Sequence, residues 1–227
     1  MNSCLFLNSG KCTAAFNMAR VEVLLEEIAR LGRPVLRFYG WTEPAATFGY
    51  FQKNCEVGRA TLLRPLIRRP TGGGIVPHDM DWTYSVVFPP SHEWHSFTAV
   101  ESYHRIHKWI QSAFAKLKIE TKLAAGKKSE IAGQCFAGHE KSDLLWHGKK
   151  IAGAAQRRNK LGLLIQGSVQ PPPVALVRTD WEFAMREVAA QEFGVVWDEF
   201  PGGMDLRRRV EELAHAKYSQ KAYNERR

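Results

Sequence analysis

The sequence predicts an α+β fold, a mixed β-sheet flanked by helices, and two observations carry that expectation. Two stretches place apolar residues at helical spacing, one through Met18, Val21, Leu24, Leu25, Ile28 and Leu31, the other through Val100, Tyr103, Ile106, Ile110, Phe114 and Leu117. Between and after them lie short apolar runs bounded by turn residues, mixed with the helices but without regular strand–helix–strand alternation.

Taken in order, Thr13 is placed to cap the first helix, and Gly32 with Pro34 stops it. Val35–Tyr39 and Ala46–Phe51 read as strands separated by a turn at Glu43-Pro44, and Leu66-Ile67-Arg68 leads into a loop with three consecutive glycines. Trp82–Phe88 follows as an alternating strand. Thr98-x-x-Glu101 is a capping box for the second helix. Asp143–His147 and Ile151–Gln156 predict a hairpin turning at Gly148, and Leu161–Val169 adds a strand that Pro171-Pro172-Pro173 ends. Thr179-x-x-Glu182 is a second capping box, opening a helix through Ala190, and Asp205 begins a last, arginine-rich helix.

At 227 residues and 25.8 kDa the chain can bury a full core, and its 44% apolar and 24% charged content is that of a soluble globular protein. No apolar run approaches the ~18 residues of a membrane helix. The N-terminus lacks a basic segment ahead of its short apolar stretch, so no secretory signal is indicated and the expected location is the cytoplasm. Cys4, Cys12, Cys55 and Cys135 are scattered without metal or disulfide spacing. His92-Glu93-Trp94-His95 lacks zinc-binding spacing, and His104-x-x-His107 falls on the polar face of a helix, so no metal site is expected. The net charge of +9 favours an anionic partner; the basic residues are spread along the chain, which disfavours nucleic acid and leaves an acidic protein. Arg207-Arg208-Arg209 reads as a solvated helix face, with docking of such a protein as the functional alternative.

The glycine loop, Arg68-Arg69-Pro70-Thr71-Gly72-Gly73-Gly74-Ile75-Val76-Pro77-His78-Asp79, holds neither phosphate-loop spacing. Glycines here let the backbone approach a ligand and adopt positive φ. With Thr83-Tyr84-Ser85 after it, the segment resembles the family of lipoate-protein ligases and octanoyltransferases, which carries Arg-Arg-x-x-Gly-Gly-x-x-Val-x-His-Asp, and the likeness extends from about Asn17 to about Val169. The resemblance implies the mixed-sheet catalytic domain shared by biotin and lipoate ligases over residues 1–175, with 176–227 as a C-terminal helical extension packed on it. It also implies substrate contacts from Arg69, Gly72, Gly73, Gly74 and His78. Gly148-Lys149-Lys150-Ile151-Ala152-Gly153-Ala154-Ala155-Gln156 resembles the family's Gly-x-Lys-Ile-x-Gly-x-Ala-Gln, whose lysine meets the acyl carbonyl; that lysine is Lys150.

Small residues at Gly153, Ala154 and Ala155 would leave a channel for an eight-carbon chain beside the strand. Gly167, in Gln166-Gly167-Ser168, resembles the family's pocket-closing element, whose histidine is missing here. Cys135-Phe136 stands fifteen residues before Lys150, the spacing of the octanoyltransferase branch, and only Asp143-Leu144 survives of the ligases' Gly-Arg-Asn-Asp-Leu. Gly74, by contrast, is the ligase residue at the third loop position.

The resemblance therefore implies an acyltransferase that passes an octanoyl or lipoyl group to a lysine of a lipoyl-domain protein through a Cys135 thioester, with Lys150 as acid and base and no cofactor. The implied donor is octanoyl-acyl carrier protein; the implied acceptors are the glycine cleavage H protein or a 2-oxoacid dehydrogenase E2. An ATP-dependent and magnesium-dependent lipoate-protein ligase is the alternative, with Cys135 a bystander. A carrier-binding homologue without turnover is the third reading.

Overall fold

A computed structural model describes residues 2–128, 136 and 138–226. Its main sheet has eight strands in the order β11-β1-β2-β6-β10-β9-β8-β7, and a smaller sheet pairs β4-β3-β5. In chain order these strands are β1 (Asn2–Cys12), β2 (Val35–Trp41), β3 (Ala45–Phe48), β4 (Leu66–Arg68), β5 (Val76–His78), β6 (Trp82–Phe88), β7 (Lys122–Leu123), β8 (Leu144–Trp146), β9 (Lys149–Asn159), β10 (Gly162–Val169) and β11 (Val195–Glu199). The helices are α1 (Ala14–Leu31), α2 (Asn54–Ala60), α3 (Glu93–Ser96), α4 (Ala99–Lys116), α5 (Arg178–Phe193), α6 (Met204–Leu213) and α7 (Lys221–Asn224), with a π turn over Ala214–Tyr218. The expected α+β class is observed.

Helices cover both faces of the main sheet. On one face Leu36, Phe38, Tyr84 and Val86 pack with Ile106, Ile110 and Phe114 of α4 and with Trp181 and Met185 of α5. On the other, Val35, Tyr39, Val87 and Leu164 pack with Met18, Val21, Leu24 and Ile28 of α1 and with Val210 of α6. This double cover explains why every residue of β2, β6 and β10 is buried. The alternation in Trp82–Phe88 therefore separates two buried faces, rather than a core from solvent.

Thr13 and Thr98 cap their helices as the sequence predicts, accepting from the amides of Phe16 and Glu101, and Gly32 closes α1 at φ 65°. The Thr179 capping box does not form. Helix α5 starts two residues earlier, capped at Val177 without a side-chain bond, because Glu182 pairs instead with Arg178 at 2.6 Å. Strand β3 ends at Phe48, where the Gly49 amide donates to the Gln52 side chain and the chain turns. Strands β1 and β11 were not expected; β1 pairs in parallel with both β2 and β11. The unit β1–α1–β2 is thus a strand–helix–strand crossover whose pairing is set by contacts distant in sequence.

The C-terminal residues are tied to the small sheet through Arg68. Its guanidinium donates to the carbonyls of Tyr50, Gln52, Tyr223 and Asn224, while its amide donates to Asn224 Oδ1 at 2.8 Å. Asn224 Nδ2 donates in turn to the Tyr218 and Gln220 carbonyls. Asn224→Ala removes the side-chain partner of the Arg68 amide and of the Tyr218 and Gln220 carbonyls and is expected to lower unfolding free energy by ~1–3 kcal/mol, read from the urea midpoint, with the main sheet otherwise intact.

Candidate functional site

Lys150 is presented by the β8–β9 hairpin. His147 and Gly148 both take positive φ, 46° and 77°, the backbone of a tight two-residue turn matched to strand twist. Neighbours on a strand face opposite ways, so Lys149 points to solvent while the Lys150 side chain is only 6% exposed. Its Nζ lies 2.7 Å from Asp143 Oδ2 and 5.2 Å from the centre of the Phe136 ring. Asp143 also accepts from the Glu140 amide at 2.7 Å and from the Tyr103 hydroxyl of α4. A buried ammonium thus faces a buried carboxylate held by two further donors, the arrangement that burial of charge requires.

Among the described residues, the cavity beside Lys150 is lined by Met18, Tyr39, Thr47, Arg69, Val76, His78, Thr83, Phe136, Gly153, Ala154, Ala155, Gln166, Gly167 and Ser168. The structure so brings together Arg69, His78, Lys150, Gly153, Ala154, Ala155 and Gly167 of the sequence-predicted residues. Cys135 lies outside the described residues. Gly72, Gly73 and Gly74 are not among the lining residues. Gly73 adopts φ 87°, and its carbonyl sits where a Cβ on Gly49 would be, 1.9 Å from that position. The glycine run packs main chain against main chain at the end of β3.

Arg68 and Arg69 are both buried, and Arg69 braces this loop. Arg69 donates to the Gly72 carbonyl at 3.0 Å and to the Thr47 carbonyl at 3.2 Å. The expected channel along β9 is largely filled. Lys150 Cε occupies the space beside Gly153, 2.6 Å from a virtual Cβ, and the Tyr84 ring occupies the space beside Gly167 at 2.1 Å. The open volume is about 40 Å³, roughly three times what one water needs. A cavity of about 400 Å³, walled by Leu36, Val86, Phe88, Trp94, Trp109 and Trp197, lies elsewhere between the sheet and α4 and α5. None of the sequence-predicted site residues lines it.

His78 is buried and stacked on Trp41, with ring centres 3.8 Å apart. Its Nε2 lies 2.8 Å from Thr47 Oγ1 and its Nδ1 2.9 Å from Asp81 Oδ2. Asp79, adjacent in the motif, is exposed, so the carboxylate that orients His78 is Asp81. Asp81 Oδ2 also accepts from Ser168 at 2.7 Å and Thr83 at 3.0 Å. Sequence reading missed Asp81, Asp143 and Tyr103 as partners; Tyr103 stood only in the apolar stripe. Gln166, next to Gly167, lines the cavity and accepts from Thr71 Oγ1 at 3.0 Å.

His107 corrects the reading of His104-x-x-His107 as a polar face. It is fully buried, with Nδ1 2.9 Å from the Tyr103 carbonyl and Nε2 unpaired. Burial pushes its pKa down to about 4, opposed in part by the charge of Asp143. Among the described residues no three His, Cys, Asp or Glu side chains are grouped to hold a metal ion. Arg207, Arg208 and Arg209 are exposed but engaged by Glu211, by Asp205 and by Glu26 with Glu27, respectively.

Two stability experiments follow from these contacts. A folded pKa of about 4 lies below the 6.5 of a free histidine, so the unfolded chain binds the proton more readily between these values. Stability carried by neutral His107 is complete above that window and lost as pH falls through it, by roughly 3 kcal/mol. Urea midpoints at about pH 7.5 and about pH 4.5 should converge in His107→Phe relative to the parent. Gly167→Ala drives a Cβ into the Tyr84 ring and is expected to cost ~1–3 kcal/mol. Gly153→Ala is expected to cost less, because it meets the far end of a flexible lysine chain; denaturant titration of both variants checks the order.

The model of the lipoyl protein ligase A/B catalytic domain matches residues 13–171. The chain is 39% identical over 175 residues to octanoyltransferase LipM of Carboxydothermus hydrogenoformans, a match covering 74% of this chain and 65% of that protein. It is 35% identical over 178 residues to octanoyltransferase LipM of Staphylococcus aureus, covering 72% and 64%. The matched region therefore spans slightly under two thirds of these relatives. The fold is that of lipoate-protein ligase A bound with ATP, at TM-score 0.79 and 19% identity over 99% of both chains. It is also that of the bi-partite archaeal lipoate protein ligase of Thermoplasma acidophilum, at TM-score 0.75 and 17% identity over 99% of this chain and 97% of that one. Its matched span and these relatives place the chain in the lipoyl protein ligase A/B catalytic domain family.

Proposed function

We propose that the chain is an octanoyltransferase of protein lipoylation, moving an octanoyl or lipoyl group from a thioester donor to a lysine amine of a lipoyl-domain protein. The observation that carries this reading is the buried Lys150 ammonium at the wall of a narrow cavity, with Phe136, the residue after Cys135, on the same wall. The curated relatives named octanoyltransferase support it. In the proposed reaction the Cys135 thiolate attacks the donor thioester carbon, the donor C–S bond breaks, and the donor thiol leaves with a proton. The acceptor amine then attacks the Cys135 thioester, forming an amide and returning the Cys135 thiol. Lys150 donates a hydrogen bond to the carbonyl oxygen as negative charge develops there and moves the protons. Thioester to amide runs downhill, so the route needs no ATP.

In this reading residues 1–175 form the catalytic domain, 176–227 are an extension packed on it, and Arg69, His78, Gly153, Ala154, Ala155 and Gly167 shape the acyl site. Gly72, Gly73 and Gly74 act through the backbone beneath it. The cavity must widen to admit eight carbons. The donor in this reading is octanoyl-acyl carrier protein, the acceptor the glycine cleavage H protein or a 2-oxoacid dehydrogenase E2, and the location the cytoplasm; separately, no helix of the described residues is long and apolar enough to cross a membrane. An ATP- and magnesium-dependent ligase is the second reading, on the strength of Gly74.

One assay separates the readings. Octanoyl-carrier without ATP should acylate the chain, giving an octanoyl mass increment cleaved by hydroxylamine and absent in Cys135→Ala but kept in Cys55→Ala. Lys150→Met should slow transfer ~10²-fold or more, and Lys149→Met should not. Product formed only from free acid plus ATP, with Cys135→Ala active, would establish the ligase; no product from either donor would leave a binding protein.

A further inference from the structure

We propose that Tyr103 and Asp143 are positioning residues that keep Lys150 protonated and fix where its remaining N–H bonds point, an inference that rests on the transferase reading for its catalytic consequence. Neither residue lines the cavity; both stand behind Lys150, which does. Asp143 Oδ2 takes the Lys150 ammonium at 2.7 Å and the Glu140 amide at 2.7 Å, and Oδ1 takes the Tyr103 hydroxyl. Burial and the neighbouring Asp143 charge push the Tyr103 phenol far above its ordinary pKa, so it stays a donor at every working pH. A carboxylate with its lone pairs so occupied has no reason to take a proton from the lysine.

The alternative state, neutral amine beside neutral acid, becomes favourable as donors are removed, since an uncompensated buried charge is the costlier arrangement. One ammonium N–H is committed to Asp143 and the Phe136 ring covers another side, so a rigid pair leaves the lysine aimed at the cavity. Gly153 permits this pose: a side chain there would meet Lys150 Cε at 2.6 Å and Nζ at 2.8 Å. The other titratable and charged groups facing the pair are His104 and His107 from α4, Tyr84 from β6, and Arg69 and His78 across the cavity. His107 is held neutral by burial and so adds no second charge. Cys135 lies outside the described residues.

The test reads the lysine directly. Intact folded protein is pulsed with acetic anhydride across pH 6 to 11, and the modification rates of Lys150 and Lys149 are followed by peptide mass spectrometry. Only the neutral amine reacts, so the midpoint of each rate profile reports where that lysine loses its proton. The midpoint, not the plateau, is the readout, because a more open cavity raises the plateau alone. Asp143→Asn should move the Lys150 midpoint down by a pH unit or more, and Tyr103→Phe should move it down by a smaller step, with Lys149 unchanged in both. In transfer assays Tyr103→Phe should lower kcat several-fold at constant KM and shift the alkaline limb of the profile to lower pH in parallel. If Asp143→Asn does not fold, the isosteric Tyr103→Phe decides alone. An unmoved Lys150 midpoint in folded Tyr103→Phe overturns the proposal. A shifted midpoint in a protein that transfers no acyl group would uphold the positioning and sink the transferase reading instead.

Discussion

Burying cations is the constraint around which this molecule is arranged. Arg37, Arg68 and Arg69 are at most 4% exposed, and the Lys150 side chain 6%. An interior cation is tolerated only with its hydrogen bonds made. Arg37 reaches Ser9 and Asn17, joining β1, α1 and β2 into one unit, and burial still pushes its pKa down to about 9. Arg68 gathers four main-chain carbonyls from the turn after β3 and from the C-terminus, and Arg69 braces the glycine loop. Each guanidinium spreads its charge over a fork of donors that matches carbonyls on different segments. Lys150 is a point charge on a flexible stem, and it is met by a carboxylate that is itself completely buried. The arginines hold segments together, Arg69 at the wall of the cavity that Lys150 also borders.

Much of the fold was legible because local signals agreed with tertiary ones. Thr13, Gly32 and Thr98 mark helix ends by chemistry that acts within four residues, and the hairpin at Gly148 needs only its own turn. The strands β1 and β11 were not legible, because their pairing joins residues nearly two hundred positions apart, such as Asn2 with Val195. Thr179-x-x-Glu182 failed for a related reason. A capping box is a local preference, and here Glu182 is drawn to Arg178, whose guanidinium also donates to the Tyr39 carbonyl at 2.9 Å. A tertiary contact outweighs a cap that contributes about 1 kcal/mol.

For the candidate site, the motifs gave residue types and the structure gives partners. Lys150, Arg69 and His78 could be singled out from their segments, but what each is bound to could not. The His-Asp motif names Asp79 next to His78 but gives the ring no partner. The orienting carboxylate is Asp81, because β5 ends at His78 and the chain that follows brings residue 81, not 79, back to Nδ1 of the ring. Asp143 was noted as a remnant of a ligase segment, with no means of seeing that it faces Lys150 across the β8–β9 hairpin. His107 shows the limit from the other side, since a polar residue in a helical repeat was assigned to solvent and lies in the core.

The small residues of β9 and β10 connect these observations. A glycine beside a pocket invites the reading that its missing side chain leaves room for a ligand. Here the room beside Gly153 is taken by the Lys150 stem and that beside Gly167 by the Tyr84 ring. The two glycines stand at adjacent positions of the β9–β10 pairing, where Gly153 pairs with Ser168 and Gly167 with Ala154. Their effect is to let a charged chain lie flat on the sheet and an aromatic ring close against it, and the ion pair beside them is dry, 6% and 0% exposed. Attraction between opposite charges grows as the effective dielectric falls. The close packing that leaves about 40 Å³ open therefore also strengthens the attraction within the lysine–aspartate pair.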